Sequence, residues 1–128
     1  MKKKKILVVD DEAAFLHMIK TRLEANNYKV ITASSGKAAL GKLKTAKPDA
    51  ILLDIIMPDL DGLKVLEEIR KKDKDLPVFI VSAYFNEERF KLANKLNASG
   101  FIIKTGDLQK EVRNINNVLR LANRYKQR

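Results

Sequence analysis

The chain has no cysteine and no tryptophan, one histidine, five glycines and three prolines. Without cysteine it can form no disulfide, no thiolate metal site and no thiol nucleophile. The lone histidine, His17, rules out a histidine-rich zinc site. It falls inside an amphipathic stretch, away from the end of any apolar run, and reads as an ordinary helix residue. The low glycine and proline content excludes collagen-like and low-complexity architectures. No apolar run approaches the roughly 20 residues that a membrane-spanning helix needs. Lys2 to Lys5 could open a signal peptide, but the apolar stretch Ile6 to Val9 ends at Asp10, too early for such a segment. A cytosolic protein is therefore expected, and the Asn97-Ala98-Ser99 sequon carries no weight there. Phosphate-cradling loops are missing too. There is no Gly-x-Gly-x-x-Gly, and Gly36-Lys37 lacks both the upstream glycine and the following hydroxyl of a P-loop.

What remains is a chain of 128 residues, 45% hydrophobic and 33% charged, the size and composition of one globular domain. Lysine and arginine outnumber aspartate and glutamate 26 to 16, a net charge of +10. Many of the basic residues gather in three groups: Lys2 to Lys5; Lys29, Lys37, Lys42, Lys44 and Lys47; and Lys110, Arg113, Arg120, Arg124, Lys126 and Arg128. Solvated helix faces explain most such runs. No groove-entering motif accompanies them, so the charge is expected to serve protein partners rather than specific nucleic-acid recognition.

The apolar pattern alternates between two textures. Ile6–Val9, Ala50–Leu53, Val78–Val81 and Phe101–Ile103 are short continuous runs, the mark of strands buried on both faces of a parallel sheet. Tyr28 to Ala33 is more mixed and reads as an edge strand. Between these lie amphipathic stretches. Their apolar faces carry Phe15, Leu16, Ile19 and Leu23, then Ala38, Ala39, Leu40 and Leu43, then Leu63, Leu66, Ile69 and Arg70. Phe90, Ala93 and Leu96 mark a fourth helix, and Leu108, Val112, Ile115, Leu119 and Ala122 a fifth. Asn97 is placed to end the fourth in a left-handed turn, and Asp107 to start the fifth. A βα unit repeated five times with right-handed crossovers makes a doubly wound α/β domain over residues 1–128, with Lys2 to Lys5 as a short lead-in.

Four of the five strands end in a polar residue that an apolar core would not select: Asp10-Asp11-Glu12, Asp54, Ser82 and Lys104. Strand carboxyl ends are where open α/β sheets bind ligands. Termination by a solvated residue or a helix cap would explain Asp11 or Ser82 alone. It does not explain Asp54, which is followed by Ile55-Ile56-Met57-Pro58 rather than by a helix start. Three carboxylates in one crevice repel, and an all-oxygen site selects a hard cation such as Mg²⁺. A lysine and a hydroxyl opposite would suit a phosphoryl group, with Asp54 as nucleophile. A haloacid-dehalogenase phosphatase would want an acid two residues after the nucleophile, where Ile56 stands.

These pieces resemble the receiver domain of two-component response regulators. The resemblance rests on Val9-Asp10-Asp11-Glu12, Leu53-Asp54-Ile-Ile-Met57-Pro58-Asp59-Leu-Asp61-Gly62, Val81-Ser82-Ala83 and Lys104, in order and spread along the whole chain. It implies a flavodoxin-like five-stranded parallel sheet of order 2-1-3-4-5 with five helices. It implies that Asp54 accepts a phosphoryl group from a histidine kinase or a histidine phosphotransfer protein. It further implies Mg²⁺ held directly by Asp11, with Asp10 helping largely through water, and by Asp54 and the Ile56 backbone carbonyl, phosphoryl contacts from Ser82 and Lys104, and Ser82 and Phe101 as switch residues. Such a protein catalyses only its own phosphorylation and slow dephosphorylation, and presents its fourth helix, fifth strand and fifth helix to a downstream protein. The chain departs from the family in two places. Thr105 stands where a proline, in a cis bond, usually follows the lysine; a trans bond is expected here. Ile56 and Tyr84 hold the positions that tune dephosphorylation, and neither is an acid or amide that easily orients an attacking water. Because the chain ends just after the fifth helix, a stand-alone receiver is expected, although a fragment of a larger response regulator would read the same way. A basic binding module that works without phosphate, contacting partners through Val118, Leu121 and Tyr125, is the competing reading. The matching set Asp11, Asp54, Ser82 and Lys104 argues against it.

Overall fold

The computed structural model describes residues 2–84 and 86–126, without side chains beyond residue 122. The arginines and lysines expected at 124, 126 and 128, and Tyr125, therefore lie outside the described side chains. The elements alternate strictly: β1 (Lys5–Val9), α1 (Ala13–Ala25), β2 (Lys29–Ala33), α2 (Gly36–Ala46), β3 (Ala50–Leu53), α3 (Gly62–Lys72), β4 (Val78–Ser82), α4 (Glu87–Lys95), β5 (Gly100–Ile103) and α5 (Leu108–Lys126). All four strand pairings are parallel, in the order β2-β1-β3-β4-β5. The expected sheet is thus the observed one. Three of the four continuous apolar runs follow from it, since β1, β3 and β4 sit inside the sheet with both faces covered. The fourth, Phe101–Ile103, is not buried on both faces as expected, because β5 is the other edge strand and Ile103 is 42% exposed there. β2 is an edge, as its mixed texture indicated. It begins at Lys29, with Tyr28 buried just before it.

Two cores lie on opposite faces of the sheet. Leu7, Val9, Ile51, Leu53 and Ile80 point to one side, against Leu63, Leu66 and Ile69 of α3 and Ala39 of α2. Ile6, Val8, Leu52 and Val81 point to the other, against Leu16, Ile19 and Leu23 of α1 and Ile115 and Leu119 of α5. Alternation along each strand sends neighbours to opposite faces, so one short apolar run supplies both cores.

Helix boundaries match the chemistry expected of them. Ser35 accepts a hydrogen bond from the Ala38 N–H at the start of α2, and Asn86 accepts from Glu88 and Arg89 at the start of α4. Asn97 closes α4 at φ 63°, the left-handed turn expected of it. Asp107 accepts from the Lys110 N–H at the start of α5. Three helix expectations need correction. Ala38, placed on the apolar face of α2, is exposed, because it lies in the first turn on the outer side, next to the buried Ala39. Leu108 does not face the core; it is 49% exposed, because it opens α5 before the helix has packed on the sheet. Arg70 belongs to no apolar face. Its guanidinium donates to the carbonyls of Asn97, Asp73 and Leu76, tying the end of α3 to the turn after α4 and the approach to β4.

Gly62 marks where the chain is tightest. A Cβ there would lie 2.0 Å from the Asp54 carbonyl oxygen and 2.7 Å from the Ile55 Cα, while its N–H donates to the Ile55 carbonyl at 2.7 Å. Gly41, on α2, has open space around it. Gly62→Ala is expected to destabilise the protein by about 3 kcal/mol or more, because backbone rather than a side-chain end must move. Gly41→Ala should stabilise by about 0.5–1 kcal/mol. Urea unfolding of both variants beside the parent checks the pair.

Candidate functional site

Each polar residue at a strand end is held by a local device. The Asp10 N–H pairs with the Ala33 carbonyl at 3.1 Å, continuing the sheet past β1. The Asp10 side chain turns back to accept from the Glu12 N–H at 2.9 Å, which sets up the entry to α1. The Asp54 N–H pairs with the Val9 carbonyl at 2.9 Å, placing the acid next to Asp10. The Ser82 carbonyl accepts from the Lys104 N–H at 2.8 Å, placing the lysine beside the hydroxyl residue. One edge of the sheet thus collects residues that are far apart in sequence.

The three aspartates meet there. Carboxylate oxygens of Asp10, Asp11 and Asp54 lie within 4.8 Å of one another. Asp10 and Asp54 are buried, at 1% and 7% exposure, whereas Asp11 faces solvent. Lys104 reaches into this group from β5. Its ammonium sits 2.5 Å from Asp10 Oδ2, 3.7 Å from Glu12 Oε1, and 4.0 Å from the centre of the Phe15 ring. Ser82 is buried and its hydroxyl oxygen accepts from the Tyr84 N–H at 3.2 Å.

The electrostatics are those of crowded anions. Burial pushes the Asp54 carboxyl up to about 6, with the Asp10 charge adding to the shift. Lys104 and the backbone N–H groups of Ile56 and Ile55 act the other way, without prevailing. Burial raises Asp10 as well, despite its contact with Lys104. The donor set fits a hard divalent cation: three carboxylates converge, two of them out of water, and their repulsion is what such an ion would relieve. Among the described residues this is the one cluster of acids or histidines spaced to hold a metal.

Ile56 and Tyr84 stand at the mouth, half exposed at 50% and 54%. Phe101 is half-buried, its ring edge-on to Phe90 with centroids 5.5 Å apart. No peptide bond among the described residues is cis, so Lys104-Thr105 is trans as expected. His17 lies on α1 with its carbonyl accepting from Thr21, away from the cluster.

Several positioning residues escaped the sequence reading. Asp59 accepts from the N–H groups of Gly36 and Lys37, both at 3.2 Å, and so caps α2 from the loop after β3. Asp61 caps α3 through the Leu63 N–H at 2.9 Å, and pairs with Arg89 of α4 at 2.7 Å. With Gly62 they pin the loop that carries Asp54. Asp59, Asp61 and Gly62 were visible as parts of a motif, but motif membership does not say which helix each one holds. Glu111, on the first turn of α5, is buried at 2%, and burial pushes its carboxyl up. Only its surroundings mark it, since at its position in an amphipathic pattern it reads as surface.

Asp54 gives a test of this electrostatic picture. Its carboxyl is held above its ordinary 3.8 in the folded state, so the folded protein binds this proton more tightly than the unfolded chain does. Stability from that proton is fully present below about pH 4 and is lost as pH rises through about 6. Without divalent metal at pH 7.5, Asp54→Asn is therefore expected to be more stable than the parent by roughly 1–3 kcal/mol, an advantage that shrinks towards pH 4. Thermal unfolding across that pH range in EDTA provides the measurement; equal stabilities at pH 7.5 would contradict the reading.

Comparison with known proteins agrees with this geometry. The response regulator receiver domain family matches residues 6–116. The alkaline phosphatase synthesis transcriptional regulatory protein PhoP of Bacillus subtilis is 41% identical over 101 residues, covering 79% of this chain and 42% of the regulator. The chain thus spans less than half the length of that relative. Among solved structures, a CheY-like response regulator receiver domain protein from Methanospirillum hungatei superposes with a TM-score of 0.87 at 27% identity, over 97% of this chain and 99% of the other. The phosphorylated cyanobacterial phytochrome response regulator RcpA superposes with a TM-score of 0.84 at 28% identity, over 91% of each chain. With the family matched across nearly the whole domain and the fold reproduced strand for strand, this chain belongs to the response regulator receiver domain family.

Proposed function

We propose that this receiver accepts a phosphoryl group from a phosphohistidine onto Asp54, with Mg²⁺, and that phosphorylation switches a protein-binding surface. The observation that carries the reading is the buried Asp54 carboxylate set among Asp10, Asp11 and the Lys104 ammonium. RcpA, of the same fold, has been solved in phosphorylated form, which supports the same chemistry here.

Asp10, Asp11, Asp54 and the Ile56 carbonyl would hold Mg²⁺, which would offset charge on the phosphoryl oxygens. A carboxylate oxygen of Asp54 attacks phosphorus as the P–N bond to the donor imidazole breaks. The bonding pair leaves with the nitrogen, and the imidazole takes up a proton. Phosphoryl transfer of this kind asks the protein chiefly for alignment and charge neutralisation. Lys104, now on Asp10, is near enough to turn its ammonium to the incoming phosphoryl oxygens. The Ser82 hydroxyl accepts from Tyr84, which leaves its own proton to donate to the same group. An inward move of Ser82 would make room for Phe101 to turn in from its present place against Phe90, altering the face of α4, β5 and α5. A histidine kinase or histidine phosphotransfer protein in the cytosol would be the donor, and a downstream protein would read that face. No helix among the described residues is long and apolar enough to cross a membrane.

Incubation with Mg²⁺ and acetyl phosphate is expected to add the mass of one phosphoryl group to the intact protein. Asp54→Asn should remove the whole gain and Asp11→Ala most of it; undiminished labelling of Asp54→Asn would overturn the assignment. Ile56 and Tyr84 should make the phosphorylated state long-lived, since both are bulky enough to shade the phosphoryl group and neither is an acid or amide suited to align a water with the Asp54 oxygen. Ile56→Asn and Tyr84→Glu, loaded and freed of donor, should lose phosphate several-fold faster than the parent. Equal decay would mean that these side chains do not set the lifetime.

A further inference from the structure

The second basic cluster of the sequence has no part in the phosphoacceptor site. Lys37, at the start of α2, stands near the Asp54 loop through its N–H bond to Asp59, but Lys29, Lys44 and Lys47 lie at the opposite edge of the sheet, where the strands begin. There the C-terminal halves of α2 and α3 flank a groove of about 530 Å³. Leu40 and Leu43 of α2, Ile69 of α3 and Leu76 before β4 line it, and Lys44, Lys47 and Lys72 stand at its rim. Lys5, at the start of β1, extends the basic border: its ammonium reaches the Ala46 carbonyl at the end of α2, 3.3 Å away.

The three rim lysines are exposed, and none forms an ion pair among the described residues. The two acids of the groove are already engaged. Glu68 pairs with Lys71 at 3.2 Å, and Asp73 accepts from the N–H groups of Asp75 and Leu76. Basic residues at helix C-termini are favoured by the helix dipole, which accounts for a lysine or two here. The dipole accounts neither for the absence of any acid from Gly36 to Lys47 nor for the aliphatic lining.

We infer that this α2–α3 groove is a docking site for an acidic amphipathic helix of a partner protein, with aliphatic side chains seated on the half-buried Leu40 and Leu43, over the buried Ile69 and Leu76 beneath them, and carboxylates meeting Lys44, Lys47 and Lys72. Apolar lining bordered by unpaired ammonium groups is the complement of such a helix. Other occupants fit less well. A second copy of the chain would bring the same positive rim against itself. A lipid surface is flat on this scale and cannot follow a concave lining. Nucleic acid would want a phosphate track or stacking aromatic rings, and the lining has no aromatic residue. The groove lies away from Asp54, so this docking goes beyond the phosphorylation reading and does not depend on it.

The test is an NMR titration of the full chain with a synthetic helical peptide carrying leucines at i, i+3, i+4 and i+7 and glutamates on both flanks. The methyl and amide signals of Leu40, Leu43, Ile69 and Leu76 should shift. Reversing all three rim charges (Lys44→Glu, Lys47→Glu and Lys72→Glu) should weaken binding about tenfold or more. A peptide with lysines in place of the glutamates should leave the groove unshifted. The three substitutions are at exposed positions, and an unchanged far-ultraviolet circular dichroism spectrum and thermal unfolding midpoint would show that the fold is intact. The inference is overturned if the acidic peptide shifts no groove signal at millimolar concentration, if both peptides bind alike, or if the charge-reversed chain binds as the parent does. It is equally overturned if vesicles of phosphatidylglycerol and phosphatidylcholine sediment the protein through these lysines while the peptide leaves the groove unshifted.

Discussion

Three carboxylates at the end of a parallel sheet impose the constraint around which the rest of this protein is arranged. Asp10 and Asp54 are nearly out of water, and their mutual repulsion is met by one ammonium group, from Lys104. The lysine is brought there by the sheet itself. β5 pairs with β4 in a register that sets Ile103 beside Ser82, and the next N–H, that of Lys104, bonds to the Ser82 carbonyl. A shift of one residue in that register would turn the β5 side chains to the opposite face and take the ammonium from the acids. The register therefore serves the site as much as the core.

The loop after β3 is constrained just as closely. It has no regular structure, yet it carries Asp54 into the cluster and must not drift. Asp59 fastens it to the start of α2, Asp61 to the start of α3 and to Arg89 of α4, and Gly62 lets the chain pass against the Asp54 carbonyl. Helix starts are favourable places for carboxylates, so each fastening also completes a cap. Movement at Asp54 therefore meets three helices at once. The link to α4 stands out because α4 buries little: Ala93 is its one fully buried residue. A helix so lightly packed can respond to a small displacement transmitted through Asp61 and Arg89.

The layered fold was legible in the chain because a sheet buried on both faces needs uninterrupted apolar runs, and few other arrangements do. The acids at the ends of β1 and β3 were legible for a related reason: Asp54 in the middle of an apolar stretch has no use in a core. What escaped was direction. Arg70 sits at a core-like spacing, yet it reaches out to three carbonyls whose positions depend on α4 and β4. Leu108 has the right spacing for the α5 face but comes before the helix meets the sheet. Glu111 reads as surface and lies inside, since burial at the first turn of α5 depends on how the preceding loop folds over it. Periodicity reports a residue's phase around its own helix; it does not report where that helix first touches another element.

That loop explains how Lys104 is held with Thr105, rather than a proline, beside it. The Thr105 hydroxyl accepts from the Asp107 N–H at 3.3 Å, Asp107 caps α5, and Gly106 takes the left-handed turn between them at φ 90°. Behind the turn, Glu111 is out of water, with the Gly106 N–H and the Lys104 charge both drawing its carboxylate. Lys104 itself is fixed at two levels, its N–H on Ser82 and its ammonium on Asp10 and over Phe15. A proline ring would restrict the backbone of the residue before it. Here the restriction comes instead from hydrogen bonds on both sides of the lysine. They are individually weak, and they act together because α5 packs on β5 through Ile115 and Leu119. The aim of Lys104 at the acids thus depends on the packing of α5, the same helix that borders the surface assigned to the switch.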